Sequence, residues 1–328
     1  SPLDGIRKRA GASVEVVYAR GYVGDTGGTY DGVTSGQNLK DSRKAEELTA
    51  EACNIAKTAD YVIFVGGLNK SLFQDCEGSD RKSLDLPYNQ DKLISELAKV
   101  NKNLIVVNIS GNAVAMPWVN EVPAIIQGWY LGSETGNALA AVIAGDVNPS
   151  GKLPFTFPVK LQDSPAHALD AFPGVKGEVT YKEGIFVGYR WFDTKNIKPL
   201  FSFGHGLSYT TFEYGKASAD KKEMTSSDNI TFTVSVKNTG SRAGEEVVQL
   251  YIRDIKSTLP RPVKELKGFE KISLQPGETK NVSFTVDKSA LSYFDPDKHE
   301  WVAEPGDFEA QIGASSTDIK TKVAFKLK

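Results

Sequence analysis

Up to about residue 158, the apolar positions switch repeatedly between helical and strand spacing. Leu3, Ile6 and Ala10 recur at helical intervals and stop at Gly11. Ser1 stands where an N-cap belongs, and Pro2 stands at the first helical position. The run Val14-Glu15-Val16-Val17-Tyr18 then reads as a strand. A longer helical pattern covers about 41–59, with Leu48, Ala52, Ile55 and Ala56 on one face. Residues 61–65 follow as an uninterrupted apolar run, the form that suits a parallel strand buried on both faces. A helix over about 89–100 leads to a strand at 104–109, and a helical turn near 115–120 leads to a strand at 124–127. A last helix over about 136–144 ends at Gly145. This βα alternation predicts an α/β domain over residues 1–158, a parallel sheet with helices on both faces.

The regularity fails between 159 and 207, a stretch rich in Pro, Gly and aromatics such as Phe172-Pro173-Gly174 and Tyr189-Arg190-Trp191-Phe192. It is too aromatic for a solvated linker and reads as an extended connecting segment packed against the domains it joins. From 208 to 328 the pattern is all β. Period-two alternation marks 231–236, 247–252, 281–286 and 307–312. Turn chemistry separates these runs at Asn238-Thr239-Gly240, Gln275-Pro276-Gly277, Asp295-Pro296-Asp297 and Glu304-Pro305-Gly306. Short strands at that interval predict a β-sandwich of immunoglobulin or fibronectin type III kind. Phe232, Tyr251, Phe284 and Phe308 read as its core rather than as a sugar-stacking platform.

Composition narrows the function classes. With Lys plus Arg at 39 against Asp plus Glu at 41, the formal net charge of −2 favours neither nucleic acid nor an anionic membrane as partner. No apolar run approaches the roughly 20 residues of a membrane helix. Cys53 and Cys76 permit at most one bridge and fit no zinc spacing, so neither a structural metal nor a cofactor is expected. The chain opens on a helix cap without Met or signal peptide, which predicts a piece of a longer protein.

In an open parallel sheet, ligands bind outside the carboxyl ends of the strands, which directs attention to the segments after Val65, Ile109 and Gln127. The first is the longest and most polar, and gathers Asp75, Glu77, Asp80 and Arg81 within seven positions. A carboxylic acid at such a loop tip, desolvated beside an aromatic such as Phe73, can reach proton-donor range; the competing reading is an ordinary solvated acidic loop. Gly66-Gly67 opens no phosphate-cradle motif, and Ser110-Gly111 lacks nucleophile-elbow spacing. His167, His205 and His299 have no motif partners and read as structural or exposed, and Cys76 has no histidine near it in sequence.

Several stretches, taken in order, resemble glycoside hydrolase family 3, in its β-glucosidase and β-xylosidase group. They are Ser1-Pro2-Leu3-Asp4-Gly5-Ile6, Glu77-Gly78-Ser79-Asp80-Arg81 with Leu84-Asp85-Leu86-Pro87, and Asn148-Pro149-Ser150-Gly151-Lys152-Leu153-Pro154. Further on come Tyr181 to Arg190, Phe203-Gly204-His205-Gly206-Leu207-Ser208-Tyr209, Leu266-Lys267-Gly268-Phe269 and Glu304-Pro305-Gly306-Asp307-Phe308. The resemblance implies a three-part retaining glycosidase: an N-terminal (β/α)8 barrel carrying an aspartate nucleophile, a six-stranded α/β sandwich, and a fibronectin type III-like domain. This chain matches the second and third parts, so the barrel is its implied partner and the chain alone is expected to be inactive. The general acid/base of relatives with the EGxDR pattern falls on Glu77, while Asp80 and Arg81 are expected to form a local ion pair or loop brace. The implied substrate is a β-linked oligosaccharide or glycoside, the implied location periplasmic or secreted. A β-xylosidase of the same family, or a non-catalytic carbohydrate-binding or scaffolding product, are the alternatives. The aminosugar branch of the family, with its acid/base on the barrel, often lacks the downstream domains that this chain has.

Overall fold

The computed structural model describes residues 1–24, 29–30, 33–34 and 41–328, which divide into two compact units, Ser1–Asp146 and Val147–Lys328. The first unit opens with α1 (Pro2–Ala10), whose N-cap Ser1 accepts from the Asp4 N–H while the Asp4 side chain reaches back to the cap. This capping box and the proline behind it hold the helix start that the sequence predicts. Helix α2 (Ala45–Ala56) buries Leu48, Ala52 and Ala56. Three parallel strands follow, β1 (Val62–Gly67), β2 (Leu104–Ile109) and β3 (Ala124–Gln127), in the order β1-β2-β3. Helix α3 (Gln90–Val100) connects the first two, and α4 (Thr135–Ile143) follows the third. Leu104, Val106 and Val107 of the central strand have no exposed surface, as its unbroken apolar run predicts. Helices α1 and α4 meet at Gly5, where a Cβ would lie 2.1 Å from the Gly136 carbonyl oxygen.

Three expectations need correction. Val14–Tyr18 forms no strand: Val14, Val17 and Tyr18 are more than half exposed, and no described strand lies beside the run to take its backbone hydrogen bonds. Residues 115–120, by contrast, do make the helical turn expected there, with Val119 N–H donating to the Met116 carbonyl and Glu121 N–H to that of Trp118, whose ring is fully buried. Among the described residues the parallel sheet has three strands, not the six that the resemblance implies; part of the long helical pattern predicted from 41 is regular helix only from Ala45.

In the second unit the stretch 159–207 is not extended. It folds into turns, the 3-10 turn Leu161–Asp163, a helical turn at Pro165–Ala168 and helix α5 (Tyr189–Thr194). The aromatics explain why. Trp191 and Phe192 are buried, Tyr189 stacks on Phe203 at 4.8 Å and meets Tyr251 edge-on at 5.9 Å. The Tyr189 hydroxyl accepts from the Leu266 N–H at 2.8 Å, and the Trp191 indole donates to the Asp163 carbonyl at 3.1 Å. A helix sets Tyr189 and Phe192 side by side, three positions apart, and turns Trp191 toward Asp163 instead.

Two sheets then form a sandwich. One runs β6 (Glu265–Leu274), β5 (Gly244–Asp254), β8 (Gly306–Gly313) and β9 (Ile319–Leu327), with Glu223–Met224 parallel to β9 at its edge. The other places β4 (Ile230–Asn238) between β7 (Thr279–Val286) and Phe212–Tyr214. Alternate side chains of both sheets turn inward, among them Phe232, Val234, Phe284, Leu250, Ile252, Phe308 and Phe325. Phe232 pairs across the strands with Phe284 and packs edge-on to Phe325 at 5.1 Å. Each fully buried ring contributes roughly 2 kcal/mol. Phe232, Phe284 and Phe308 lie in this core, as read from the sequence, whereas Tyr251 is buried on the other face of β5, against Tyr189.

Candidate functional site

All three parallel strands end on the same edge, so the segments after β1, β2 and β3 converge there. The strand ends themselves are fixed by a buried polar lattice. Gln90 of α3, with no exposed surface, accepts from the Gly67 N–H at 2.7 Å and donates to the Gly67 and Pro87 carbonyls. Asn108 of β2 donates to Gln127 at 2.7 Å and to Ser110 at 2.9 Å, locking the ends of β2 and β3 together. Gly67 has φ +134°, and a Cβ there would stand 2.0 Å from the Ile109 carbonyl oxygen. Gly67→Ala is therefore expected to cost roughly 3 kcal/mol, read as a fall in the thermal midpoint of the 328-residue chain. A midpoint within about 1 °C of the parent's would mean that the crossing of β1 and β2 is looser than described.

The segment after β1 is held by many local bonds rather than by regular structure. The Asn69 side chain accepts from the Ser71 N–H, and Gln74 accepts from the Asn69 N–H. Phe73 takes a positive φ of 63° and donates its N–H to Ser79 Oγ at 2.6 Å. Lys82 lies over the Phe73 ring at 4.3 Å from its centre.

The acidic residues singled out from the sequence take different positions. Asp75 is tied down: its carboxylate accepts from the Gly111 N–H at 2.6 Å, the Asn112 side chain at 2.8 Å and the Tyr130 hydroxyl at 2.8 Å. Burial and then this hydrogen bond push the Tyr130 phenol well above its ordinary range, so it remains a donor. Glu77 is exposed and makes no hydrogen bond or ion pair with another described residue. Asp80 is exposed too, and the local ion pair expected between it and Arg81 is not formed. Arg81 instead donates Nη1 to the Ala113 carbonyl at 2.6 Å, the brace that was the other expectation. Burial disfavours its charged form, opposed by Asp75, Asp85 and Tyr130, and its Nη2 is buried with no partner among the described residues. Asp91, half-buried in the first turn of α3, accepts from the Trp118 indole at 2.7 Å and from the Leu86 N–H. Burial raises its pKa, and it acts as a structural acceptor.

Two residues of this edge, Asn112 and Tyr130, escape sequence reasoning because neither belongs to a chemical motif. Their only signal is that each lies in the segment just beyond a strand end, Ile109 or Gln127. Both cysteines are free. A hydrogen bond from Ser79 lowers the Cys76 thiol below its usual range, whereas burial raises that of Cys53. His205 stacks on Phe201 at 5.3 Å and burial lowers its pKa, the structural role expected of it.

Glu77 and Asp80, both exposed on a braced loop at the carboxyl edge of a parallel sheet, have the access that proton transfer to a bound ligand requires. Comparison with known proteins agrees with the fold. The family profile described as the glycosyl hydrolase family 3 C-terminal domain matches residues 1–189, and that of the fibronectin type III-like domain matches 246–316. A β-glucosidase of Bacteroides ovatus is 51% identical over 334 residues, covering 99% of this chain and 43% of the relative. The thermostable β-glucosidase B of Acetivibrio thermocellus is 44% identical over 322 residues, covering 98% of this chain and 40% of its own length. The crystal structure of a family 3 β-glucosidase from Bifidobacterium adolescentis superposes with a TM-score of 0.87 at 36% identity, over 100% of this chain and 45% of that one. The chain thus spans less than half the length of these relatives. No described helix is long and apolar enough to cross a membrane.

Proposed function

Since the chain belongs to glycoside hydrolase family 3, we propose that it is the downstream portion of an exo-acting retaining β-glucosidase, with Glu77 as the general acid/base and the aspartate nucleophile on an N-terminal (β/α)8 barrel outside these residues. The observation that carries this reading is the contrast at the carboxyl edge. Asp75 and Asp91 are consumed by hydrogen bonds, whereas Glu77 and Asp80 are left facing solvent, and of these two it is Glu77 that opens the stretch Glu77-Gly78-Ser79-Asp80-Arg81 on which the resemblance puts the acid/base.

Retaining hydrolysis needs two carboxyl groups roughly 5–5.5 Å apart, one attacking the sugar and one protonating the departing oxygen. In the first step the Glu77 carboxylic acid gives its proton to the glycosidic oxygen as the bond to the anomeric carbon breaks. In the second, its carboxylate takes a proton from the water that releases the sugar from the nucleophile. Loop placement suits that exchange, because the same oxygen must meet a leaving group and then a water.

The 328-residue chain by itself therefore has an acid without a nucleophile and should release no sugar from aryl β-glucosides. The full-length protein should hydrolyse aryl β-glucosides ahead of aryl β-xylosides by roughly ten-fold or more, the scale of discrimination that one missing substituent supports. Turnover by the isolated chain would contradict the assignment of the nucleophile to another domain, and preference for the xyloside would make the enzyme a β-xylosidase. Full-length protein inert on both would leave a carbohydrate-binding or scaffolding product.

A further inference from the structure

Residues 75–81 make an arch whose two feet, Asp75 and Arg81, are both tied to the segment after β2. The first foot is Asp75, held by the Gly111 N–H at 2.6 Å, by Asn112 at 2.8 Å and by the Tyr130 hydroxyl at 2.8 Å. The second is Arg81, whose Nη1 donates to the Ala113 carbonyl at 2.6 Å. Gly111, Asn112 and Ala113 are consecutive, so a three-residue strip after β2 carries both ends of the arch, and Tyr130 adds a tie from the segment after β3. Inside the arch, Ser79 Oγ accepts from the Phe73 N–H at 2.6 Å and lies 3.1 Å from Cys76 Sγ. Glu77 lies between the feet in sequence, and its side chain makes no hydrogen bond or ion pair among the described residues.

An exposed glutamate on an untethered loop would sweep through many positions. Proton transfer needs hydrogen-bond reach, and a displacement of about 1 Å at a reacting group can cost on the order of 100-fold in rate. Three donors converging on one carboxylate, two of them backbone or planar groups with fixed directions, are more than the loop needs to stay folded against its own Ser79 and Asn69 bonds. We propose that Asp75 is a positioning residue for Glu77, fixing the arch against the segments after β2 and β3, with Arg81 as the opposing tie. This rests on the reading of Glu77 as acid/base. Asp75 does not itself touch substrate in this account; it acts through the backbone of Cys76 and Glu77.

Two measurements test it, and they fail separately. Cys76, next to Glu77, reports the arch in the 328-residue chain without any need for activity once Cys53 is replaced by Ala. Its thiol is held below the usual range by Ser79, within the arch. Asp75→Ala should raise the midpoint of the pH–rate profile of Cys76 alkylation toward that of a free thiol, slowing labelling at neutral pH by about threefold. Tyr130→Phe, which removes one hydroxyl and keeps the ring, should shift the midpoint the same way by less, and it covers the case in which Asp75→Ala fails to fold. Unmoved midpoints in folded variants overturn the proposal.

In the full-length enzyme, Asp75→Ala and Tyr130→Phe should each lower kcat/KM for cellobiose more than for 2,4-dinitrophenyl β-glucoside, by about ten-fold for the first. Glu77→Gln is the control. A contrast between substrates in Glu77→Gln with none in Asp75→Ala overturns the positioning role alone. No contrast in Glu77→Gln removes the acid/base role and the positioning role with it.

Discussion

Replacing Glu77 by Gln in the full-length enzyme will cut kcat/KM for cellobiose and alkyl β-glucosides by roughly 100- to 10,000-fold while nearly sparing 2,4-dinitrophenyl β-glucoside. The ratio kcat/KM reports the step up to cleavage of the glycosidic bond. An alkoxide leaving group cannot depart without a proton, so that step collapses when the acid becomes an amide. Dinitrophenolate is stable enough to leave unprotonated, so the same step survives. The second step fares differently. Water must be deprotonated as it attacks the glycosyl-enzyme, and glutamine cannot do this, so kcat for the activated substrate falls and the intermediate accumulates. Azide needs no base and should restore turnover, giving a β-glucosyl azide. Equal losses on both substrate types, with no response to azide, would make Glu77 a structural residue. The exposure of Glu77 helps here, since an amide at a site without partners leaves no donor or acceptor stranded in the interior.

How far the sequence carries depends on where the neighbours of each residue lie. Strand β2 is readable to the residue because burial on both faces demands an apolar run, and Leu104-Ile105-Val106-Val107 supplies it; β3, at the sheet edge and only half-buried, is readable from Ala124-Ile125-Ile126. Strands β4, β5, β7 and β8 are readable because each has one inner face. Strand β6 is not. Glu265-Leu266-Lys267-Gly268-Phe269-Glu270-Lys271 lies at a sheet edge, with Phe269 two-thirds exposed and charges on both faces, so no period survives. Ile319–Leu327 does alternate, with Lys320, Lys322 and Lys326 outward against Phe325 and Leu327 inward, and its partner β8 fixes the register. Val14–Tyr18 shows the opposite failure, a strand-like text with no described partner to pair with.

The site divides in the same way. Glu77 is proposed on a stretch of contiguous residues, Glu77-Gly78-Ser79-Asp80-Arg81. The hold on Asp75 is invisible in sequence because its donors lie 36, 37 and 55 positions away, and only the parallel order of three strands brings them to one carboxylate. Arg81 reaches 32 positions to Ala113 for the same reason. What sequence offers there is the edge on which to look, not the pairs.

Arg261→Ala in the second unit should be among the most destabilising single changes in the chain, at about 3–5 kcal/mol. Its guanidinium, 6% exposed, binds Asp254 at 3.1 Å, Glu265 at 2.7 Å and the Leu291 carbonyl at 2.8 Å, and lies 5.4 Å from the centre of the Tyr293 ring. Asp254, only 4% exposed, would lose its ion-pair partner. Burial alone would raise the Glu265 pKa. The hydrogen bond from Arg261 and the charges of Lys267, Arg261 and Arg190 outweigh it, and the net shift is downward. A carboxylate with a lowered folded pKa stabilises the fold above its unfolded pKa and loses that contribution as pH falls through the folded value. The parent chain should therefore lose stability on acidification below about pH 4, where the unfolded glutamate begins to bind protons and the folded one does not. In Arg261→Ala much of that depression is gone, so the variant should be weaker near pH 7 and show a shallower acid limb. Urea midpoints for the two proteins between pH 3 and pH 7 measure both effects. A variant whose midpoint at pH 7 matches the parent's, or whose acid limb is as steep, would show that Lys267 and Arg190 alone hold Glu265 and that the buried arginine contributes nothing measurable to the sandwich.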